Sequence, residues 1–324
     1  MSLYIKLIAI VVMILIFYSS ANIQMLSTHL NLDYIKAIFF VQPLMIVSLF
    51  FAGMRLSILA TVNSNNAVSF FNGFKTTIIS HGLGLVLPLR LSEFSKPVYL
   101  KKQCGISLSA GMAAVALERI SDIVILTALT LIGAMFFFEI DYSYLLLACC
   151  LMGLFIVLLA LFESHFLTLF EVRFTKIWQK FAFNIVRNFI FLLKKKSTYI
   201  GFFFGLIAWL FSLGSLIMFF NILGVSDIGL SGYLAVFIGS IIGGAVPALP
   251  GGFGIYEASV VYFLGKYGYG FDAAIMLAIG LHLSQLLFSV IATIYLSLFG
   301  KLGISSIISE IRSLGFQGSK NSKK

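Results

Sequence analysis

The 324 residues are 60% hydrophobic and only 10% charged, with 34 phenylalanines, which excludes a soluble globular fold because a core this apolar would leave no polar surface. A mean hydropathy of +1.06 instead reads as an all-α polytopic integral membrane protein. The net charge of +10 would suggest nucleic acid in a soluble chain, but here the basic residues fall in gaps between apolar runs and report topology.

Ile5 to Ala21 is the first predicted span, with Lys6 near its start. Ser19, Ser20 and Ala21 would also suit signal-peptide cleavage, but the weak charged n-region and the spans that follow favour an uncleaved helix. Ile35 to Met54 is the second span, with Arg55 at its end. Ala67 to Leu87 is long enough to cross but carries Asn72, Lys75, Thr76, Thr77, Ser80 and His81, a load that a lipid-facing helix does not carry.

Pro88 to Lys102 then supplies a proline, a turn, a carboxylate at Glu93, a short second limb and two lysines. The next span, Ser109 to Phe138, contains Glu118, Arg119, Ser121 and Asp122. An acidic loop at Glu139 and Asp141 precedes Leu145 to Leu161. Residues 163–198 are predominantly basic and are read as cytoplasmic. Within them Arg173, Lys176, Lys180 and Arg187 share one helical arc, while Phe174, Ile177, Trp178, Phe181 and Ile185 share another. Lying on the inner leaflet and packing against the bundle both fit that pattern.

Tyr199 to Leu223 is a further span, and Asp227 marks an outer loop. The stretch from Pro247 to Glu257, PALPGGFGIYE, lies between Tyr233 to Val246 and Ala258 to Leu264, each too short to cross a bilayer alone. Pro250 interrupts one helix, Gly251, Gly252 and Gly254 permit a tight turn, and Glu257 enters the first turn of the next. Irregular backbone at membrane depth requires burial in protein or a polar cavity, so this motif predicts such a cavity. Ala273 to Leu298 makes the last crossing, and the basic tail is expected to be soluble and partly disordered. Cys104, Cys149 and Cys150 have no metal-ligand spacing, so neither zinc nor disulfides are indicated and no cofactor is expected.

The expected architecture is a membrane domain over residues 1–300, with 163–198 as its basic cytoplasmic segment, and a basic cytoplasmic tail over 301–324. It has about six full transmembrane helices plus two re-entrant broken-helix hairpins, 67–102 and 233–266, in an inverted repeat. The N-terminus, residue 55, residues 101 and 102, the 163–198 segment and the tail then all face the cytoplasm. Glu93 and Arg119 are 26 residues apart and Glu257 and His282 are 25 apart, each pair joining a proline-marked turn to the helix that follows. Paired interrupted segments point to a transporter binding site near the midplane. Were both elements to cross fully, the second half would keep much of its charge bias, so that topology stays open.

The candidate site residues follow from charge in apolar surroundings. Arg90, Lys96 and Arg119 are cations that need a partner or a task, and Glu93, Glu118, Asp122 and Glu257 are the partners available. One reading is a set of structural ion pairs locking hairpins to helices. The other is that Arg90 and Arg119, with backbone amides of the glycine turn, receive an anionic headgroup while the carboxylates position them.

At these residues the chain resembles the flippase-like transmembrane region of bacterial lysylphosphatidylglycerol synthases and its stand-alone relatives. The resemblance lies in Pro88, Arg90 and Glu93, in Glu118, Arg119 and Asp122, and in Pro250, Gly251, Gly252, Gly254 and Glu257, and spans essentially residues 1–300. It implies a membrane domain of a bacterial-type cytoplasmic membrane that moves a phospholipid or another charged-headgroup lipid between leaflets. Ser92 replaces a glycine often seen before the first-turn glutamate, and His282 stands where relatives often carry arginine. No soluble aminoacyl-transferring domain follows, so the chain is not expected to make lysyl lipid by itself. Motifs of metalloproteases, serine hydrolases and nucleotide-binding loops are absent from the sequence. Two alternatives remain: an enzyme or enzyme partner in polyprenyl-lipid-linked glycan synthesis, and a small-solute permease.

Overall fold

In a bilayer every backbone amide must be satisfied within the protein, and among the described residues this chain does so with helices alone. The computed structural model describes residues 32–62, 66–85, 87, 91–137, 177–245, 250–299 and 306–310. Its helices are α1 (Leu32–Phe40), α2 (Gln42–Val62), α3 (Phe70–Gly84), α4 (Ser95–Cys104), α5 (Leu108–Phe137), α6 (Ile177–Leu193), α7 (Lys196–Ile222), α8 (Gly229–Ala245), α9 (Ile255–Lys266) and α10 (Phe271–Phe299). Short 3₁₀ turns at Leu91–Phe94 and Pro250–Gly252 precede α4 and α9. Leu32–Val62, Lys196–Ile222 and Phe271–Leu298 are long and apolar enough to cross a membrane. The 30-residue α5 reaches about 45 Å at 1.5 Å per residue, although it carries the charged cluster. The expected spans Ile5 to Ala21 and Leu145 to Leu161 lie outside the described residues.

Both interrupted elements fold as antiparallel helical hairpins. In the first, Asn72 Nδ2 donates to Cys104 Sγ (3.6 Å) near the open end, and Ser80 Oγ donates to the Ser92 carbonyl (3.0 Å) near the turn. In the second, α8 and α9 approach so closely that a Cβ on Gly243 would lie 2.3 Å from Ser259 Oγ, and one on Gly239 would meet the Phe263 ring. None of the four limbs exceeds 17 residues, or about 26 Å, short of a hydrocarbon core of about 30 Å.

α10 sets the hairpins against each other. It begins beside the open end of the second hairpin, and its far half meets the first, where Thr293 Oγ1 donates to the Ile78 carbonyl (3.1 Å). The two turns face one another, and a Cβ on Gly251 would lie 2.8 Å from Leu85 Cδ2. α2 backs the first hairpin through a crossing of Gly53 and Gly73, where a Cβ on Gly53 would lie 2.5 Å from Phe74 Cα. α7 lies along α2, with Ser48 Oγ donating to the Ala208 carbonyl (2.8 Å).

One expectation changes and two gain detail. Arg55 does not end its span at the cytoplasmic surface, because the apolar run continues to Val62 and places it well inside α2, only 3% exposed. The tail is not wholly free: residues 306–310 are helical, Ile307 is buried in the cluster containing Leu87, Val98 and Tyr99, and Glu310 pairs with Lys101 (2.8 Å) and Lys102 (3.0 Å). The α6 segment packs Ile185, Phe189 and Leu192 with Ala110, Ala113 and Ala114 of α5, leaving Lys180 and Arg187 exposed. Of the two readings of that basic stretch, its second half takes bundle packing; Arg173 and Lys176 lie outside the described residues.

Candidate functional site

Between the two hairpin turns lies a cavity of about 320 Å³, walled by α2, α3, α4, α5, α7, α8, α9, α10 and the turns themselves. Glu93, Lys96, Glu118, Arg119, Asp122, Gly251, Gly252 and His282 all line it, so residues up to 189 positions apart in the chain share one chamber. Arg90, also a candidate from the sequence, lies outside the described residues. Gly254 and Glu257 do not line the cavity; they sit behind its wall and support His282.

Glu118 and Asp122, one helical turn apart on α5, organise the charges. Arg55 Nη2 donates to Glu118 Oε1 (2.9 Å), and its Nη1 donates to Asp122 Oδ1 (2.6 Å) and Ser121 Oγ (2.9 Å). The other Glu118 oxygen accepts from Lys96 Nζ (2.8 Å), and Trp209 Nε1 of α7 donates to Asp122 Oδ1 (2.7 Å). Removing one member of such a network leaves an unpaired buried charge and typically costs about 3–5 kcal/mol. These contacts therefore serve first to tie α2, α4, α5 and α7 together.

Arg119 is held differently. Its side chain is 37% exposed, against 1% for that of Lys96, and its distances are longer: 3.2 Å to Asp122 Oδ2, 3.8 Å to Glu93 Oε1 and 3.9 Å to Glu118 Oε2. Its Nε is buried without a hydrogen-bond partner. Glu93 is correspondingly half-open, at 3.3 Å from Lys96. Arg119 and Glu93 thus form the loose layer of the cluster at the cavity wall, 3.8 Å from each other and nearer to Asp122 (3.2 Å) and Lys96 (3.3 Å) respectively, and behind them Arg55, Lys96 and Glu118 form a tight triad. The buried members of the cluster fit structural ion pairing, whereas Arg119 and Glu93 are its accessible members.

The second turn is built on positive φ values at Gly251 (72°), Gly252 (79°) and Gly254 (87°), conformations that side-chain-bearing residues resist. The turn delivers Glu257 to position N3 of α9, where Oε2 accepts from the Gly254 N–H (2.6 Å). That amide is consequently engaged by the protein's own carboxylate, contrary to the expectation that it would serve an anion. Oε1 meets His282 Nδ1 at 2.6 Å. The residues whose near-equal spacing suggests a repeat also touch, Glu93 with Arg119 at 3.8 Å and Glu257 with His282 at 2.6 Å, contacts that the spacing alone does not predict.

Sequence reasoning missed Arg55, whose signal was the apolar LSILATV that follows it and extends the helix. His81, part of the polar load of the first hairpin, is exposed, and what it faces is the cavity. Trp209 and Gln285 also line the chamber without having been singled out. Among the described residues no three His, Cys, Asp or Glu side chains are grouped to hold a metal ion.

These features define a class: a helical membrane protein with a charged internal cavity between two opposed helical hairpins. The chain belongs to the family of the lysylphosphatidylglycerol synthase TM region, whose model matches residues 4–293. No curated protein and no solved structure matches the chain.

Proposed function

We propose that the chain is a lipid transporter rather than an enzyme, moving a phospholipid or another charged-headgroup lipid between leaflets. The single observation that supports this most is the loose Arg119–Glu93 pair on the cavity wall, 3.8 Å apart and partly exposed while the charges behind it are sealed. A headgroup phosphate would replace Glu93 as the partner of Arg119, forming charge-assisted hydrogen bonds to the guanidinium while its acyl chains stay in lipid. In this reading the two hairpins are re-entrant, entering from opposite faces as an inverted repeat, and their turns meet near the midplane. The docking of residues 306–310 against Lys101 and Lys102 supports placing the tail and the open end of the first hairpin on one side, which the charge bias makes the cytoplasm of a bacterial-type inner membrane.

The test is a leaflet-accessibility assay in proteoliposomes with headgroup-labelled anionic, zwitterionic and polyprenyl phosphate lipids. Wild type is expected to make inner-leaflet label accessible from outside, and Arg119→Gln to lose that activity while still inserting and purifying as a folded protein. No crossing of any of the three lipids by wild type would overturn the reading.

A further inference from the structure

We infer that His282 is a proton-dependent ligand for a headgroup phosphate, so that the phosphate and a proton occupy the cavity together. The inference rests on the transporter reading and adds a ligand chemistry, a phosphodiester anion, and a second bound species, H⁺.

The imidazole is held so that only one of its nitrogens serves the cavity. Nδ1 lies 2.6 Å from Glu257 Oε1, and the ring stacks on Tyr256 with centroids 4.0 Å apart and planes within 20°. Phe253 packs against it with its centroid at 4.7 Å. With Nδ1 engaged by Glu257 Oε1, Nε2 is the ring nitrogen left without that partner, on a side chain that lines the chamber. In the neutral ring Nε2 is a hydrogen-bond acceptor and opposes a phosphate oxygen. In the imidazolium it is a donor and matches one.

Charge reinforces that polarity. The other groups facing the chamber are Arg55 from α2, His81 from α3, Glu93 and Lys96 from the first turn and limb, and Glu118, Arg119 and Asp122 from α5. Its three permanent cations and three carboxylates offset one another. From α9, Tyr256 presents a phenol and Glu257 a carboxylate; from α1, Tyr34 is turned away and bonded to the Met276 carbonyl. The charge left over is the one on Glu257. With His282 neutral the pair carries −1 behind the cavity wall and repels an incoming phosphate. One added proton brings the pair to zero and turns Nε2 into a donor, so proton and phosphate each strengthen binding of the other by the same factor. An arginine at this position would hold its charge at every pH, and histidine makes it conditional.

The experiment uses the full-length protein in detergent micelles with dihexanoyl phosphatidylglycerol as the probe. Calorimetric titrations in two buffers of different ionisation enthalpy count the protons taken up per lipid bound. Wild type is expected to take up protons on binding and to lose about tenfold in affinity per pH unit on the alkaline side, as one linked proton requires. His282→Arg is expected to bind without proton uptake and without that pH dependence, and His282→Gln to bind weakly at every pH. Overturning results are wild-type affinity that is flat from pH 6 to 9 with no buffer dependence, unchanged proton uptake in His282→Arg, or no binding of the probe at any pH. The wild-type buffer comparison needs no variant to fold. Lipid crossing without proton linkage would sink this inference and leave the transporter standing, whereas proton-linked binding without crossing would do the reverse.

Discussion

The guanidinium of Arg55 crosses Gly205 of α7 so closely that a Cβ there would stand 2.7 Å from Nη1 and 3.0 Å from Cδ. The missing side chain is what lets a cation from α2 reach Glu118 and Asp122 on α5. Gly205→Val is expected to push Arg55 off both carboxylates and destabilise the protein by about 3–5 kcal/mol, the usual cost of breaking a buried pair. Denaturant unfolding in detergent micelles would measure it, and an unchanged midpoint would show that Arg55 finds another route.

Glu118→Gln and Arg119→Gln should separate the two layers of the cluster. The first weakens the partner of both Lys96 and Arg55, and a loss of folded, monodisperse protein during purification is the expected outcome. The second removes a half-exposed cation with long contacts, so the thermal midpoint should stay within a few degrees while lipid crossing is lost. Equal damage to folding in both variants would contradict the division.

Gly251→Ala adds strain twice, through a φ of 72° and through contact with Leu85 across the two turns. The conformational part costs about 1–2 kcal/mol and cannot be relieved elsewhere. The steric part can: Leu85→Ala in the same chain should recover some of the lost transport. Full additivity of the two substitutions in the crossing assay would mean that the turns do not bear on each other.

The docked tail should respond to acid. The hydrogen bond from Lys101, and then that from Lys102, hold the Glu310 carboxyl below its ordinary range. A carboxylate lowered in the docked state stabilises docking above its free pKa, and that contribution is lost as pH falls through the lowered value. Limited proteolysis should therefore leave residues 306–310 protected at neutral pH and release them in acid. Glu310→Gln should be more readily cleaved already at neutral pH, and high salt should shrink the difference because the pair is largely at the surface.

Much of the candidate site was legible because membrane chains leave few reasons for a charge within an apolar run. Glu93 and Arg119, and likewise Glu257 and His282, stand out by nearly equal spacing after a proline-marked turn; the spacing marks a repeat, and the contact within each pair is visible only in the structure. Arg55 was lost because hydropathy assigns a cation near the expected end of a span to the interface, while the side chains that bury it come from α5 and α7, distant in sequence. The docking of Ile307 failed for the same kind of reason: five residues carry too little periodicity to reveal a partner in another hairpin. The division between tight and loose members of the cluster depends on tenths of an ångström that spacing does not encode.

Arg55, Lys96 and Arg119 carry three positive charges against the three negative ones of Glu93, Glu118 and Asp122. Equal numbers of opposite charges interleaved over a few ångströms have no monopole, so their field falls off much faster with distance than that of a single ion. Such a cluster draws little from the bulk and spreads little potential through the surrounding hydrocarbon. Its attraction is confined to van der Waals range, where it acts on whichever polar group has already arrived, as a small pocket of fixed, pre-oriented solvent would.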